Sequence, residues 1–318
     1  MDICVLGGSG FVGQELVIQL ALAGHWVRVP TRNPARAQSL RVLDTVELRT
    51  ANVHEPGTLG QLFAGCDAVV NLVGILNPGS GAGFQAVHVE LAAKVMTAAR
   101  AAGVRQVLHM SALGADARGP SQYLRSKGAA EAQLRAAPPP GALPPPAVSV
   151  FRPSVIFGPG DSLTNRFARL LRLTAGIMPL ARAGTRFAPI DVRDVAQAFA
   201  RALGEHSSFG QTYELCGPEV MTLADIVRAT AAVAGIDCTI VPLPDALARL
   251  QAVVLGLLPG KPFSLDNFRS LTVDCLCREN GCARLGITPR HLLAELPAWL
   301  GSDDRETVLA ALRRFSDR

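Results

Sequence analysis

Apolar and polar residues alternate in blocks that switch period along the first half of the chain. Ile3–Leu6 is a short apolar run of strand length. From Phe11 to Ala23 the apolar residues return at helical spacing, and Gly24 stops the pattern. Trp26–Val29 and Val46–Leu48 read as further strands, with a short helix after Glu55. Ala68–Val73 is a strongly apolar fourth strand, and Val87–Ala102 an alanine-rich helix ending at Gly103. Gln106–Met110 is a fifth strand, Ser121–Ala136 a helix, and Val148–Phe151 a sixth strand. The proline run Pro138–Pro146 between the last two reads as a rigid surface loop. Strands separated by helices predict parallel βαβ units, hence an α/β fold of Rossmann type with a doubly wound parallel sheet.

After Phe157 the pattern changes. Gly158–Asp161 is a turn, Asn165–Leu173 a helix, Phe187–Ile190 a short strand and Asp191–Leu203 a helix. Tyr213–Leu215, Leu223–Ala234 and Thr239–Pro242 read as strand, helix and strand. These pieces predict a smaller C-terminal α/β lobe. The expected division is a dinucleotide-binding domain over 1–155 that also uses 187–210, a discontinuous lobe over 156–300, and a helical tail over 301–318. Ala246–Leu258 is apolar, interrupted by Arg249 and Gln251. It reads as an amphipathic helix, with two alternatives: a core helix, or a surface that lies on a membrane or against a partner.

The chemistry begins at Gly7-Gly8-Ser9-Gly10-Phe11-Val12-Gly13, between the first strand and the first helix. Gly7 permits the tight turn, Gly10 lets the backbone approach a pyrophosphate, and Gly13 packs the helix on the strand. The helix start offers free N–H groups to the phosphates, so Ser9, Phe11 and Val12 belong to the expected site. A nicotinamide dinucleotide is the predicted cofactor. The second strand runs into Pro30-Thr31-Arg32-Asn33 without the Asp or Glu that holds the ribose hydroxyls of NAD(H). Arg32, with Thr31, is placed to pair with a 2′-phosphate, which predicts NADP(H) over NAD(H). Asn52 is expected near the adenine, and Leu72, Val73 and Gly74 beneath the adenine ribose.

Tyr123 and Lys127 stand four apart on one helix face, in a chain with two tyrosines and three lysines. Hydride transfer to a carbonyl needs a proton donor, and a nearby ammonium lowers a tyrosine toward working pH. Lysine also suits the nicotinamide ribose, and Ser111, past the fifth strand, suits the carbonyl. The expected catalytic set is Ser111, Tyr123 and Lys127. The alternative is that Tyr123 and Lys127 only contact cofactor or pack.

Composition excludes several classes. The chain is 49% hydrophobic and 18% charged, ordinary for a globular protein. Its net charge of +5 comes with no dense basic run, so no nucleic-acid partner is expected. No apolar run reaches the ~18 residues of a membrane span. The seven cysteines come without a recognisable export signal, which predicts a reducing, cytoplasmic setting and free thiols. Cys275, Cys277 and Cys282 lack a metal-ligand spacing, and no metal is expected.

The glycine turn, Ser111, Tyr123-x3-Lys127 and Arg152-Pro153 together resemble the extended or atypical short-chain dehydrogenase/reductase superfamily. Tyr123–Glu131, Phe157–Asp161 with Asn165-Arg166-Phe167, Pro189–Val195 and Tyr213–Pro218 narrow the likeness. They are similar to the family of the nucleotide-binding accessory subunit of respiratory complex I and its free-standing bacterial relatives. The resemblance spans about residues 1–300. It implies a bound NADPH, with Pro153 among the cofactor contacts, and partners in respiratory or ubiquinone-biosynthesis assemblies. In that family the nucleotide is thought to be structural although the tyrosine–lysine pair is present. Binding without turnover, and an NADPH-dependent oxidoreductase or epimerase-like enzyme, therefore stay open as readings. Leu257–Phe263 with Asp266-Asn267 also resembles the family, as a segment facing a partner or the inner face of the cytoplasmic membrane. Apolar Ile177–Leu180 and the region 246–258 favour a quinone-like or lipid-like ligand, or a protein, over a sugar nucleotide.

Overall fold

The structure is a computed structural model that describes residues 1–78, 83–136, 141–257 and 263–300. The expected tail over 301–318, positions 258–262 of the Leu257–Phe263 segment, and the start of the proline run lie outside the described residues. The chain divides into two compact units: residues 1–153, 193–215 and 280–287, and residues 154–192, 216–279 and 288–318.

The first unit is built on seven parallel strands. Six are β1 (Asp2–Leu6), β2 (Trp26–Thr31), β3 (Val46–Thr50), β4 (Ala68–Asn71), β5 (Gln106–Met110) and β6 (Ala147–Pro153). The order is β3-β2-β1-β4-β5-β6, and the strand Thr212–Leu215 adds beyond β6. Helices α1 (Phe11–Leu22), α2 (Thr58–Phe63), α3 (Leu91–Ala101) and α4 (Gln122–Arg135) connect strands, as the pattern predicts. β1 and β4 are buried almost throughout, which accounts for their continuous apolar runs. Leu59, Leu62, Phe63, Leu91, Val95 and Leu134 pack with β1, β4 and β5 residues in one core. The strand order reverses between β1 and β4, where open α/β sheets bind their ligands.

The sequence pattern places Tyr213–Leu215 in the smaller lobe. The structure corrects this: Thr212–Leu215 extends the main sheet, with Tyr213 stacked 5.5 Å from Phe151, itself 4.0 Å from Phe199. A stack of three rings far apart in sequence leaves no local signal. The helix expected from Val87 begins instead as a π-helical turn, Gln85–Glu90, before α3. A 3-10 segment, Pro34–Val42, was not legible in the apolar spacing.

The second unit holds helices Thr164–Leu173 and Leu223–Val233, packed on each other around Leu171, Ile226 and Val227. The strand Ile177–Ala181 pairs in parallel with Thr239–Leu243. The single strand expected over Phe187–Ile190 is two strands. Arg186–Phe187 pairs antiparallel with Met221–Thr222, and Ile190–Asp191 pairs parallel with Ile156–Phe157. Pro189 stands between them and lacks the N–H a continuous ladder needs. The helix Asp245–Leu257 forms, but the core-helix alternative is overturned. Only the small Ala248 and Ala252 are buried, while Leu247, Leu250, Val253, Val254 and Leu257 face outward.

The expectation of free thiols throughout is also corrected. Cys216 and Cys277 form a disulfide with Cα atoms 6.0 Å apart. The segment of Cys277 is drawn in where Cys275 bridges Phe187, and its N–H points at Cys216 Sγ from 3.0 Å. A pairing across 61 residues has no spacing signature. Cys4, Cys66, Cys238, Cys275 and Cys282 are outside any disulfide.

Candidate dinucleotide site

The glycine turn follows β1 at the sheet's switch point. Gly7 adopts φ +81°, a left-handed conformation that suits glycine. The loop after β4 crowds it, since a Cβ at Gly7 would lie 3.1 Å from the Leu72 carbonyl carbon. The three glycines then separate by what surrounds them. A Cβ at Gly13 would stand 2.1 Å from the Gly7 oxygen and 2.6 Å from Gly8 Cα, so the fold itself forbids it. A Cβ at Gly10 meets only the Gly7 oxygen, at 3.2 Å. Gly10 is exposed, so its missing side chain leaves room for something outside the protein. It also caps α1 without a side-chain hydrogen bond, and the first turn carries no acidic residue. The N–H groups and partial positive charge of that turn fit a pyrophosphate. Phe11 and Val12 occupy the turn, half-buried.

At the end of β2, Thr31 is buried and donates its hydroxyl proton within the protein, to Ser9 Oγ or to the Asn33 oxygen, each at 3.2 Å. Ser9 and Thr31 thus brace the turn against β2. Arg32 is exposed beside them. Asn52 is half-buried after β3, where its side chain accepts from the His54 N–H and donates to Glu55. Burial lowers His54, and the positive charges of Lys94 and Arg32 lower it further.

The loop after β4 is held by Asn71, which accepts from the Val73 N–H at 3.2 Å and donates to His109. It carries Leu72 and Val73 half-buried and Gly74 exposed. Gly74 lies close to Lys127, since a Cβ there would be 3.2 Å from Nζ. That contact was absent from the sequence reading, which set Gly74 at the adenine ribose.

α4 starts at Ser121, whose hydroxyl accepts from the Leu124 N–H at 3.1 Å. Tyr123, Lys127 and Glu131 follow at successive turns. Tyr123 is half-buried, while Lys127 and Glu131 are buried. Lys127 Nζ donates to the Met110 carbonyl at the end of β5, 3.0 Å away. Burial brings the ammonium down to about 8, with Glu131 pulling the other way. Glu131 is gripped by Arg152 through two bonds of 2.8 and 2.7 Å, and by Arg135 at 3.1 Å. Burial alone would raise this carboxyl. The hydrogen bonds from Arg152 and Ser111, with the charge of Arg152, outweigh it and hold the group below its ordinary value.

Ser111 departs most from expectation. It is 2% exposed, and its hydroxyl donates to Glu131 over 2.6 Å. The proton expected to orient a carbonyl is committed to a buried ion pair. Pro153 is buried at the end of β6 and accepts the Leu113 N–H, inside the protein frame. Glu131 and His88, both buried beside the tyrosine–lysine pair, were not selected from the sequence. The Lys127–Glu131 spacing of four was the available signal for the first; for the second there was none. Among the described residues no group of His, Cys, Asp or Glu is arranged to hold a metal.

Residues 7–138 match a family model described as NAD(P)H-binding. The chain is 30% identical over 293 residues to subunit 9 of the 1 alpha subcomplex of mitochondrial NADH dehydrogenase [ubiquinone] from Arabidopsis thaliana, covering 87% of this chain and 71% of the relative. The chain belongs to the family of that subunit. It is also 31% identical over 250 residues to a ceramide reductase of Caulobacter vibrioides, covering 76% of this chain and 74% of the relative. Among solved structures, an NADPH-dependent quinone oxidoreductase of Escherichia coli complexed with NADPH has the same fold. It matches with TM-score 0.73 at 20% identity, over 93% of this chain and 99% of that one. This family member thus carries a domain matched as NAD(P)H-binding on a seven-stranded Rossmann-type sheet and is related to oxidoreductases.

Proposed function

We propose that the chain binds NADPH as a resident cofactor and supports a respiratory or quinone-biosynthesis assembly, rather than turning over a substrate of its own. The observation that carries this reading is the commitment of Ser111 to Glu131, a carboxylate that Arg152 also holds. A serine that spends its proton on a buried carboxylate has none to give a substrate carbonyl. The kinship with a complex I subunit supports the assembly role. The preference for NADPH rests on exposed Arg32 and on the absence of an acidic residue at the end of β2. Here the pyrophosphate lies on the first turn of α1, and the nicotinamide ribose on Tyr123 and Lys127.

A cytoplasmic protein that touches the inner face of the membrane, or a partner standing there, suits the outward apolar face of helix Asp245–Leu257. Among the described residues no helix is long and apolar enough to cross a membrane. The second reading is an active NADPH-dependent reductase of a quinone-like or lipid-like carbonyl. Tyr123 one helical turn from Lys127, and the ceramide reductase among the relatives, favour it. Purification under native conditions distinguishes the two. The first reading expects NADPH at near one equivalent, co-purifying respiratory or quinone-synthesis proteins, and no NADPH oxidation across a quinone and carbonyl panel. Turnover abolished by Tyr123→Phe would replace it with the second. Protein that neither carries nor binds a dinucleotide would overturn both.

A further inference from the structure

The regular helical ladder breaks beside Tyr123 and Lys127, in the π-helical turn Gln85–Glu90. Such turns are rare and collect at functional sites. This one carries His88, 2% exposed. Both ring nitrogens are engaged. Nε2 accepts the Ile75 backbone N–H at 3.1 Å, so the ring proton sits on Nδ1. Nδ1 lies 2.7 Å from Ser126 Oγ, which in turn donates to the Tyr123 carbonyl at 2.7 Å. The imidazole stands edge-on to the Tyr123 ring, with centroids 5.8 Å apart and planes at 76°. A Cβ at Gly74 would lie 3.5 Å from His88 Nε2 and 3.2 Å from Lys127 Nζ. Burial first, and then the charge of Lys127, keep the ring neutral down to about 3.

One imidazole therefore joins the loop after β4 to helix α4 and touches the tyrosine ring. We propose that His88 is a positioning residue that fixes the Gly74–Ile75 loop and the Tyr123–Lys127 pair as one rigid receptor for the nicotinamide ribose. This rests on the dinucleotide reading above. A neutral histidine suits the task because one ring both accepts from a backbone N–H and donates to a hydroxyl across a fixed width. A longer flexible side chain would lose rotamer freedom in making the same two bonds.

The test compares two probes on wild type, His88→Ala and His88→Gln. NADPH reaches both ends of the site. Adenosine 2′,5′-bisphosphate reaches only the end away from His88. His88→Ala is expected to weaken NADPH about tenfold or more, the loss of roughly one hydrogen bond's worth of alignment. The bisphosphate should change less than about twofold. His88→Gln, whose amide oxygen reaches the Ile75 N–H, is expected to restore part of the NADPH affinity. Melting curves accompany each titration, and the glutamine variant carries the comparison if the alanine variant fails to fold. Equal weakening of both probes, or a folded variant with unchanged NADPH affinity, overturns the proposal alone. Wild type that binds the bisphosphate but gains nothing from the nicotinamide half overturns it too. Wild type that binds neither probe overturns the dinucleotide reading beneath it.

Discussion

Lys127→Met separates what the lysine costs the fold from what it gives the ligand. The ammonium is buried, and its release point falls from 10.5 to about 8. The unfolded chain keeps the proton up to 10.5 and the folded chain gives it up near 8. Between these values the unfolded state binds more protons, so this group's contribution to stability rises with pH there. Below 8 the penalty is constant and amounts to about 3 kcal/mol. Methionine removes it while filling most of the volume. The change leaves the Met110 carbonyl without the donor now 3.0 Å away, a loss of about 1 kcal/mol. The nucleotide-free variant should therefore be about 1–2 kcal/mol more stable than wild type at pH 7. At about pH 10 the wild-type penalty has mostly gone and the difference should shrink to about zero. Urea denaturation of both proteins at the two pH values measures this, and the same samples should show weakened NADPH binding. A variant less stable than wild type at pH 7, or a difference unchanged at pH 10, would refute the account of Lys127 as a desolvated cation kept for its ligand.

Gly10→Glu should abolish nucleotide binding while leaving the melting temperature near wild type, because its Cβ meets only the Gly7 oxygen; Gly13→Ala, aimed at the same backbone from 2.1 Å, should unfold the protein instead. Circular dichroism and NADPH titration together distinguish the pair. Arg32→Ala should weaken NADPH by about tenfold or more and leave NADH within about twofold, the pattern of a lost contact to a 2′-phosphate. Equal losses for both cofactors would remove Arg32 from the selectivity argument. Glu131→Gln should cost about 3 kcal/mol, since it leaves Arg152 without its bidentate partner. The stability Glu131 contributes is complete above the ordinary carboxylate value of 4.5 and is lost as pH falls through its lower folded value. Acid titration of the glutamine variant should accordingly show a shallower fall than wild type.

How far the sequence reaches depends on the length of the interaction. The glycine turn, β1, β2, β4 and α4 were legible because their signals are local: a left-handed glycine, an apolar run, a serine cap, a spacing of four. The extra strand Thr212–Leu215 was misplaced because its reason is the stack on Phe151 and Phe199. The disulfide between Cys216 and Cys277 was missed for the same cause, whereas the split strand had a local signal, Pro189 inside the run. Helix Asp245–Leu257 shows another limit. Its apolar spacing is real, yet the packed face is the one bearing Ala248 and Ala252. Period reveals that a helix has faces, and size alone does not reveal which one is covered.

Ser111 is the position where this limit bears on function. Its place after β5 is what a carbonyl-orienting serine needs, and spacing along the chain says no more. Its partner is decided by Glu131, two turns beyond Tyr123 and one beyond Lys127, together with Arg152 on β6. The same carboxylate that favours the charged form of Lys127 also takes the serine's proton. The two effects work in opposite directions for a reductase. A charged lysine serves the cofactor, while a committed serine withholds help from a substrate carbonyl. Under the proposed function, a carboxylate that favours charged Lys127 and engages Ser111 is what a chain selected to hold its nucleotide would retain. Tyr123 would then remain useful as a ribose contact and as the ring against which His88 packs, whether or not its hydroxyl ever transfers a proton.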